Sequence, residues 1–404
     1  HGQSVPHHEW YHRTNKPTQK QETMNKKKLM AMGVPVTAVV PAITCIQRAA
    51  QNREDKRKPN VVIAEILQAP ESFLHDPVWS GFAEAVIEDR QYEPESSIGY
   101  QIFGDDIDDQ ALFQMQQACR VPGARAAAVM PDAHVGYGLP IGGVLATEGV
   151  VIPYAVGVDI ACRMRLSITD LPAELVEEND PKHCHALDRA LERGTLFGTG
   201  GKFKARHDHE VFDHDWTVTA VTRENKDRAW NQLGTSGSGN HFVEWGVIEL
   251  PQDDLGLPAG RYVGLLSHSG SRGAGAAVCA RYSQIARQSL PPRYKEDTHL
   301  AHLAWLSLSS QAGQEYWAAM NLMGQYAAAN HQIIHESVLR LAGAKPLTVI
   351  ENHHNFAWEE VHDGKSLIVH RKGATPAGVG ALGVIPGSMA APCFVVRGKG
   401  GAGS

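Results

Sequence analysis

Residues 126–168 decide how this chain is read. Met130-Pro131-Asp132-Ala133-His134 is followed by Gly136, Gly138, Gly142 and Gly143, then by Gly157-Val158-Asp159-Ile160-Ala161-Cys162-Arg163. Apolar, β-branched runs alternate with glycine and proline, which predicts short strands and tight loops rather than helix. Asp159 and Cys162 set a carboxylate and a thiol three residues apart beside a glycine turn. In a turn both side chains can reach one point, and Asp oxygen with Cys sulfur is a usable ligand pair for a divalent metal. Taken alone, the segment is more simply a turn aspartate beside a buried cysteine.

Working outward, the same pattern recurs. Gly234 to Asn240 is a glycine-rich loop that runs through His241 into Phe242-Val243-Glu244-Trp245, a strand-like flank. Leu265-Leu266-Ser267-His268 enters a second small-residue loop, Ser269-Gly270-Ser271-Arg272-Gly273, whose hydroxyls and arginine suit phosphate oxygens. Leu347 to Glu351 leads into His353-His354-Asn355. Each histidine alone reads readily as a capped or core residue. Three strand ends that each deliver a His, with a fourth delivering Asp and Cys, favour one ligand cluster over four unrelated sites. Lys182 to His185 and Arg206 to His209 also look metal-like, but they lack glycine loops and preceding strands and read as solvated surface. Near the end, Leu367 to His370 is followed by Arg371-Lys372-Gly373, an expected anion grip with both cations pointing one way.

The rest of the chain supports an enzyme. It has 404 residues, 43% apolar and 20% charged, with formal net charge −6. That is globular composition with ample core, and it argues against a broad basic coat for nucleic acid, though not against a basic cleft. The best apolar run, Leu29 to Ile43, is broken by Gly33, Pro35 and Pro41, so no membrane span is expected. Six scattered cysteines without CxxC spacing fit a reducing, cytoplasmic setting. The 21 histidines and 39 glycines fit ligand and proton chemistry close to backbone. Residues 1–29 read as a polar tail or read-through, 30–99 as an N-terminal segment and 100–404 as the catalytic domain. Gln47 to Asn60 reads as a solvated connection, Val61–Leu67 as a strand or a helix start, Asp105 to Arg120 as helix, and Tyr316 to Leu341 as a long helix stopped by Gly343.

With these motifs assembled, the chain resembles the RtcB-type RNA ligases. The matching words are MPDAHVGYGLPIGG (130–143), GVDIACR (157–163), GSGNHFVE (237–244), SHSGSRG (267–273), HHN (353–355), HRKGA (370–374), IPGSM (385–389) and VVRGKG (395–400), all in family order. The resemblance implies an α+β fold, a single compact domain with a central metal-binding cleft. It implies two Mn²⁺ ions bridged by Cys162, with Asp159 and His241 on one ion and His268 and His354 on the other. Cys162, His241 and His268 would carry the chemistry. Asn240, Glu244, His354, Asn355, Pro386, Gly387, Ser388 and Met389 would form a guanylate pocket for GTP. Arg272, Arg371 and Lys372 would hold RNA phosphates. The implied partners are RNA ends, from tRNA halves or damaged RNA, and an activating protein, with the chain a monomer. The implied reaction joins RNA 3′-phosphate or 2′,3′-cyclic phosphate ends to 5′-hydroxyl ends through a guanylated histidine.

The sequence departs from the family in two places. No histidine follows His370, whereas the family's guanylate-accepting His lies in a Ser-His-Gly-Ala-Gly-Arg word beyond the stretch matching Val395 to Gly400. Cys393 stands where relatives often carry Ser. The expectation is therefore a chain cut short of its nucleophile, inactive in ligation as it stands. The alternatives are a metal-dependent phosphoesterase and an RNA-end-binding variant.

Overall fold

The computed structural model describes residues 24–52, 55–92, 96–177, 181–387 and 391–401, without the side chains of 181–184. The chain divides between residues 93 and 94 into two units. In the first, helices span Lys26–Ala31, Val39–Gln51, Pro59–Gln68 and Ser80–Gln91. They enclose a core that includes Leu29, Ile63, Ile66, Trp79 and Phe82. Leu29 is fully buried, so the expected boundary at residue 29 falls inside a helix. The expected solvated connection at 47–60 is likewise corrected: helix Val39–Gln51 enters it and Pro59 opens the next helix. Pro41, third in the Val39–Gln51 helix, and Pro59, first in the next, are accommodated because the N–H groups of a helix's first turn have no intrahelical partner. The short run at 61–67 is helix.

The second unit carries the sheets. Its strands are β1 (Gln101–Ile102), β2 (Ala124–His134), β3 (Ile141–Thr147), β4 (Val150–Val151), β5 (Arg163–Thr169), β6 (Phe242–Leu250), β7 (Gly260–Ser269), β8 (Leu306–Ser307), β9 (Pro346–His353), β10 (Asn355–His362), β11 (Lys365–Lys372), β12 (Leu382–Ile385) and β13 (Phe394–Arg397). Two sheets dominate, ordered β1-β2-β3-β11-β10 and β6-β7-β5-β9. The fold is α+β, as expected. The predicted helices at 105–120 and 316–341 appear as Asp109–Ala118 and Gln311–Ala342. Ser310 caps the latter by accepting from the Gly313 N–H, and Gly343 ends it in the left-handed region, where glycine has no Cβ to clash. Among the described residues no helix is long and apolar enough to cross a membrane.

The four-stranded sheet positions the candidate site. All three of its pairings are antiparallel, with Met164 opposite His268, His268 opposite Phe242, and Arg163 opposite His353. The start of β5, the start of β6, the end of β7 and the end of β9 therefore meet at one end of the sheet. Alternation then sorts the faces. Leu265 packs with Ile334 and Val338 of the long helix, while Leu266 packs with Met164 and with Val384 of β12. Ser267 thus faces the helix, and His268 faces the β12–β13 side.

Candidate metal centre

Five side chains converge at that end of the sheet. Cys162 Sγ lies 3.0 Å from His268 Nε2 and 3.5 Å from His241 Nε2. His268 Nε2 lies 3.1 Å from His354 Nε2, and His241 Nε2 lies 2.8 Å from Asp159 Oδ2. They fall into two groups, Asp159–Cys162–His241 and Cys162–His268–His354, whose donor atoms lie within 4.8 Å of one another. Cys162 belongs to both.

Local backbone explains how residues so close in sequence aim at one point. Ala161 takes a φ of 58°, a left-handed conformation uncommon outside glycine. It folds the chain back so that the Cys162 N–H reaches Asp159 O at 3.2 Å. The turn is held from the neighbouring strand: Ala161 N–H donates to Asn355 O at 2.7 Å, and His354 N–H donates to Cys162 O at 3.1 Å. His354 is the single residue between β9 and β10, where the chain passes from one large sheet to the other. Ser271 N–H donates to Asp159 Oδ1 at 3.1 Å. A Cβ on Gly270 would run into the Asp159 carboxylate, so that position admits only glycine without displacement.

The remaining ring nitrogens set the histidines. His268 Nδ1 donates to Asn240 O at 2.8 Å, which leaves the Nε2 lone pair facing Cys162 and His354. His241 Nδ1 faces Ser236 O at 3.2 Å and the Arg272 guanidinium at 3.0 Å. Burial lowers His268 and brings His354 down to about 3, so both are neutral, the form a metal requires. Burial, reinforced by the Asp159 charge, pushes the Cys162 thiol well above its usual value. Burial also works to raise the Asp159 carboxyl, but contact with His241 and the charges of His241 and Arg272 outweigh it and hold that group below the carboxylate range. Asp159 Oδ2 is buried and makes no aligned hydrogen bond. A carboxylate oxygen without an aligned hydrogen bond, a thiol and three imidazoles, of which His268 and His354 are neutral, are a donor set that fits two divalent cations.

Of the other expected residues, Asn240 supports His268 through its carbonyl, and Glu244 lies exposed on the His268 face of β6. Asn355 follows His354 and accepts from the Gly373 N–H at 2.9 Å. Pro386 and Gly387 are exposed just after β12, and Ser388 and Met389 lie outside the described residues. The phosphate grips are placed differently from expectation. Arg272 packs behind His241, its guanidinium over Gly237 where a Cβ would collide. Arg371 and Lys372 are buried and, as strand neighbours, point to opposite faces. Arg371 pairs with Glu360 over the Trp358 ring, and Lys372 donates to Leu139 O at 3.1 Å and to Tyr137 O. They do not form one anion grip. His353 turns away, its ring packed on Phe356 and Trp358. Sequence reasoning missed Arg272 as a partner of His241, and the only trace was a glycine in the loop ahead of it.

The sequence model of one family, described as tRNA-splicing ligase RtcB, matches residues 114–218 and 202–404. The chain belongs to the RtcB family. Among its relatives, RNA-splicing ligase RtcB of Escherichia coli (strain K12) is 32% identical over 295 residues, 68% of this chain and 70% of that protein. RNA-splicing ligase RtcB of Mycobacterium tuberculosis (strain ATCC 25618 / H37Rv) is 33% identical over 345 residues, 71% of this chain and 79% of that protein. tRNA-splicing ligase RtcB of Archaeoglobus fulgidus is 32% identical over 355 residues, with 72% and 73% covered. The RtcB match spans the four-stranded sheet, every strand of the five-stranded sheet except β1, and all five converging side chains.

Proposed function

We propose that this RtcB-family chain is an RNA ligase built on a pair of Mn²⁺ ions, joining RNA 3′-phosphate or 2′,3′-cyclic phosphate ends to 5′-hydroxyl ends with GTP. The observation that carries the reading is the sharing of Cys162 between two ligand groups. Asp159, Cys162 and His241 would hold one ion, and Cys162, His268 and His354 the other. Bound there, the ions would neutralise phosphate charge and lower the pKa of attacking oxygens. The protein's part is orientation. Asn240 fixes the His268 tautomer, Arg272 backs His241, and the β12–β13 side of the sheet leaves Glu244 open beside His268. We assign Asn240, Glu244, Asn355 and the 386–389 segment to the guanylate pocket on family grounds. His370 is not available to accept guanylate, because it is buried with both ring nitrogens engaged.

The test is metal content and ligation together. Two manganese ions per chain, and joining of 3′-phosphate to 5′-hydroxyl RNA only with Mn²⁺ and GTP, are expected. Cyclic-phosphate hydrolysis without joining would select the phosphoesterase instead. Incubation with GTP labelled at the α-phosphate, followed by mapping of the labelled histidine, decides whether the acceptor lies within residues 1–404.

A further inference from the structure

Directly behind the candidate metal centre, a buried polar chain links the long helix to the four-stranded sheet. His331 and His335 stand one turn apart on the same face of the Gln311–Ala342 helix, where they project toward the four-stranded sheet. Both are buried. The two ring nitrogens of His335 reach two different strands: Nδ1 lies 2.8 Å from Ser167 Oγ of β5, and Nε2 lies 2.8 Å from Ser267 Oγ of β7. His331 Nδ1 takes the same Ser267 hydroxyl at 2.6 Å. That hydroxyl has one proton, so it donates to one ring and accepts from the other, which locks both imidazoles in fixed orientations. Leu265, Ile334 and Val338 pack around them, while Arg165 stands opposite Ser267 on β5 and the charges of Arg163 and Arg165 act on the rings of His331 and His335 respectively.

The strands joined in this way are the two that carry the shared sulfur and its nearest imidazole. Cys162 immediately precedes β5, and His268 immediately follows Ser267 on β7. Backbone pairing fixes which residues oppose each other, with Arg165 opposite Ser267 and Ser167 opposite Leu265. It leaves the fine offset of the strands to side-chain contacts. Ser167 and Ser267 sit diagonally across the pair, and a ring bonded to both resists sliding of one strand past the other.

We propose that His335 is a positioning residue for the metal centre: by bridging Ser167 and Ser267 it sets the offset of β5 against β7, and so the spacing of Cys162 from His268. The inference rests on the metal reading above.

The experiment is Co²⁺ titration of the full chain, followed by absorption spectroscopy, for the parent, His335→Gln and His335→Leu. The parent should show a thiolate-to-cobalt charge-transfer band. Glutamine offers a donor and an acceptor that reach both serines, so H335Q should keep the band and most of the affinity. H335L fills the space without bridging. It should remain folded by circular dichroism, bind Co²⁺ roughly 10–100-fold more weakly, as expected for support around a ligand, and show a shifted band. A folded H335L with the parent's affinity and spectrum overturns the proposal and leaves the metal reading standing. Equal losses in H335Q and H335L also overturn it, because the hydrogen bonds would then not be the cause. A parent without the band takes down the metal reading and this proposal with it. If H335L does not fold, Ser167→Ala opens one end of the bridge and carries the same expectations.

Discussion

The Nε2 atoms of His268 and His354 lie 3.1 Å apart, although β5 separates β7 from β9 in the sheet. At neutral pH neither ring is protonated, since burial lowers both. With its Nδ1 proton given to Asn240 O, His268 turns a lone pair toward His354 and toward Cys162 Sγ at 3.0 Å. Such a grouping is poorly compensated on its own and well compensated around a cation.

Cys162→Ser should lose both ions, whereas His241→Ala or His354→Ala should lose one. The thiol proton is held tightly by burial and must leave when metal binds, and a serine hydroxyl is far harder to ionise at neutral pH. Elemental analysis of the purified variants reads this directly. Retention of one ion by the serine variant would contradict a shared sulfur.

Gly270→Ala should empty one group and spare the other. The new Cβ meets the Asp159 carboxylate, while Cys162, His268 and His354 are supported from elsewhere. The expected result is one manganese per chain and a loss of about 1–3 kcal/mol in stability from overpacking. Full metal content in this variant would show that Asp159 is not a ligand.

The strand-end histidines were legible because glycine loops and β-branched runs mark where strands stop, and antiparallel pairing does the rest. The long helix was legible from its 3.6-residue period and the terminal Gly343. Arg272 was not, because its contact with His241 spans a loop and a strand and leaves no spacing to read. Arg371 and Lys372 looked like one grip as adjacent cations, but β11 lies inside its sheet and sends the two to opposite faces. His331 and His335 were overlooked inside an apolar helix, though two histidines four residues apart on a buried face were the available sign. The charged stretch after residue 46 hid a helix end whose buried contact is Ala49.

Lys372→Met separates a structural lysine from a phosphate contact. Burial lowers the Lys372 amine to about 8, and Nζ is engaged by two loop carbonyls. If RNA binds as proposed, the slope of log affinity against log salt should be unchanged in the variant. A lysine on a phosphate would reduce that slope by about 1. Stability should instead fall by about 1–3 kcal/mol, because two carbonyls lose their donor. A smaller salt slope at unchanged stability would return Lys372 to the RNA surface.

Acid should destabilise the fold through its buried histidines, and His370 isolates the effect. Its ring is buried on β11, where Nδ1 donates to Leu145 O at 3.1 Å and Nε2 accepts from the Ile152 N–H at 2.9 Å. A second proton would have to sit on Nε2 and break that acceptance. Burial lowers the folded value to about 4, against about 6.5 for an exposed histidine. Above pH 6.5 neither the folded nor the unfolded state binds the proton. Between 6.5 and 4 the unfolded chain binds it and the folded chain does not. The contribution is therefore complete above the unfolded value and is lost as pH falls toward the folded one. A gap of roughly two and a half pH units, at about 1.4 kcal/mol each, amounts to about 3.5 kcal/mol, of which about 3 is lost by pH 4. His353 and His354, lowered to about 3, act in the same direction. Titrating carboxylates also steepen acid unfolding, so the useful quantity is the difference between the parent and His370→Gln. The glutamine variant should be less stable at pH 7.5, because one amide does not match both bonds. Its stability should then fall by about 3 kcal/mol less than the parent's on the way to pH 4. Denaturant unfolding at half-unit pH steps measures both curves, and parallel curves would show that His370 takes up no proton on unfolding.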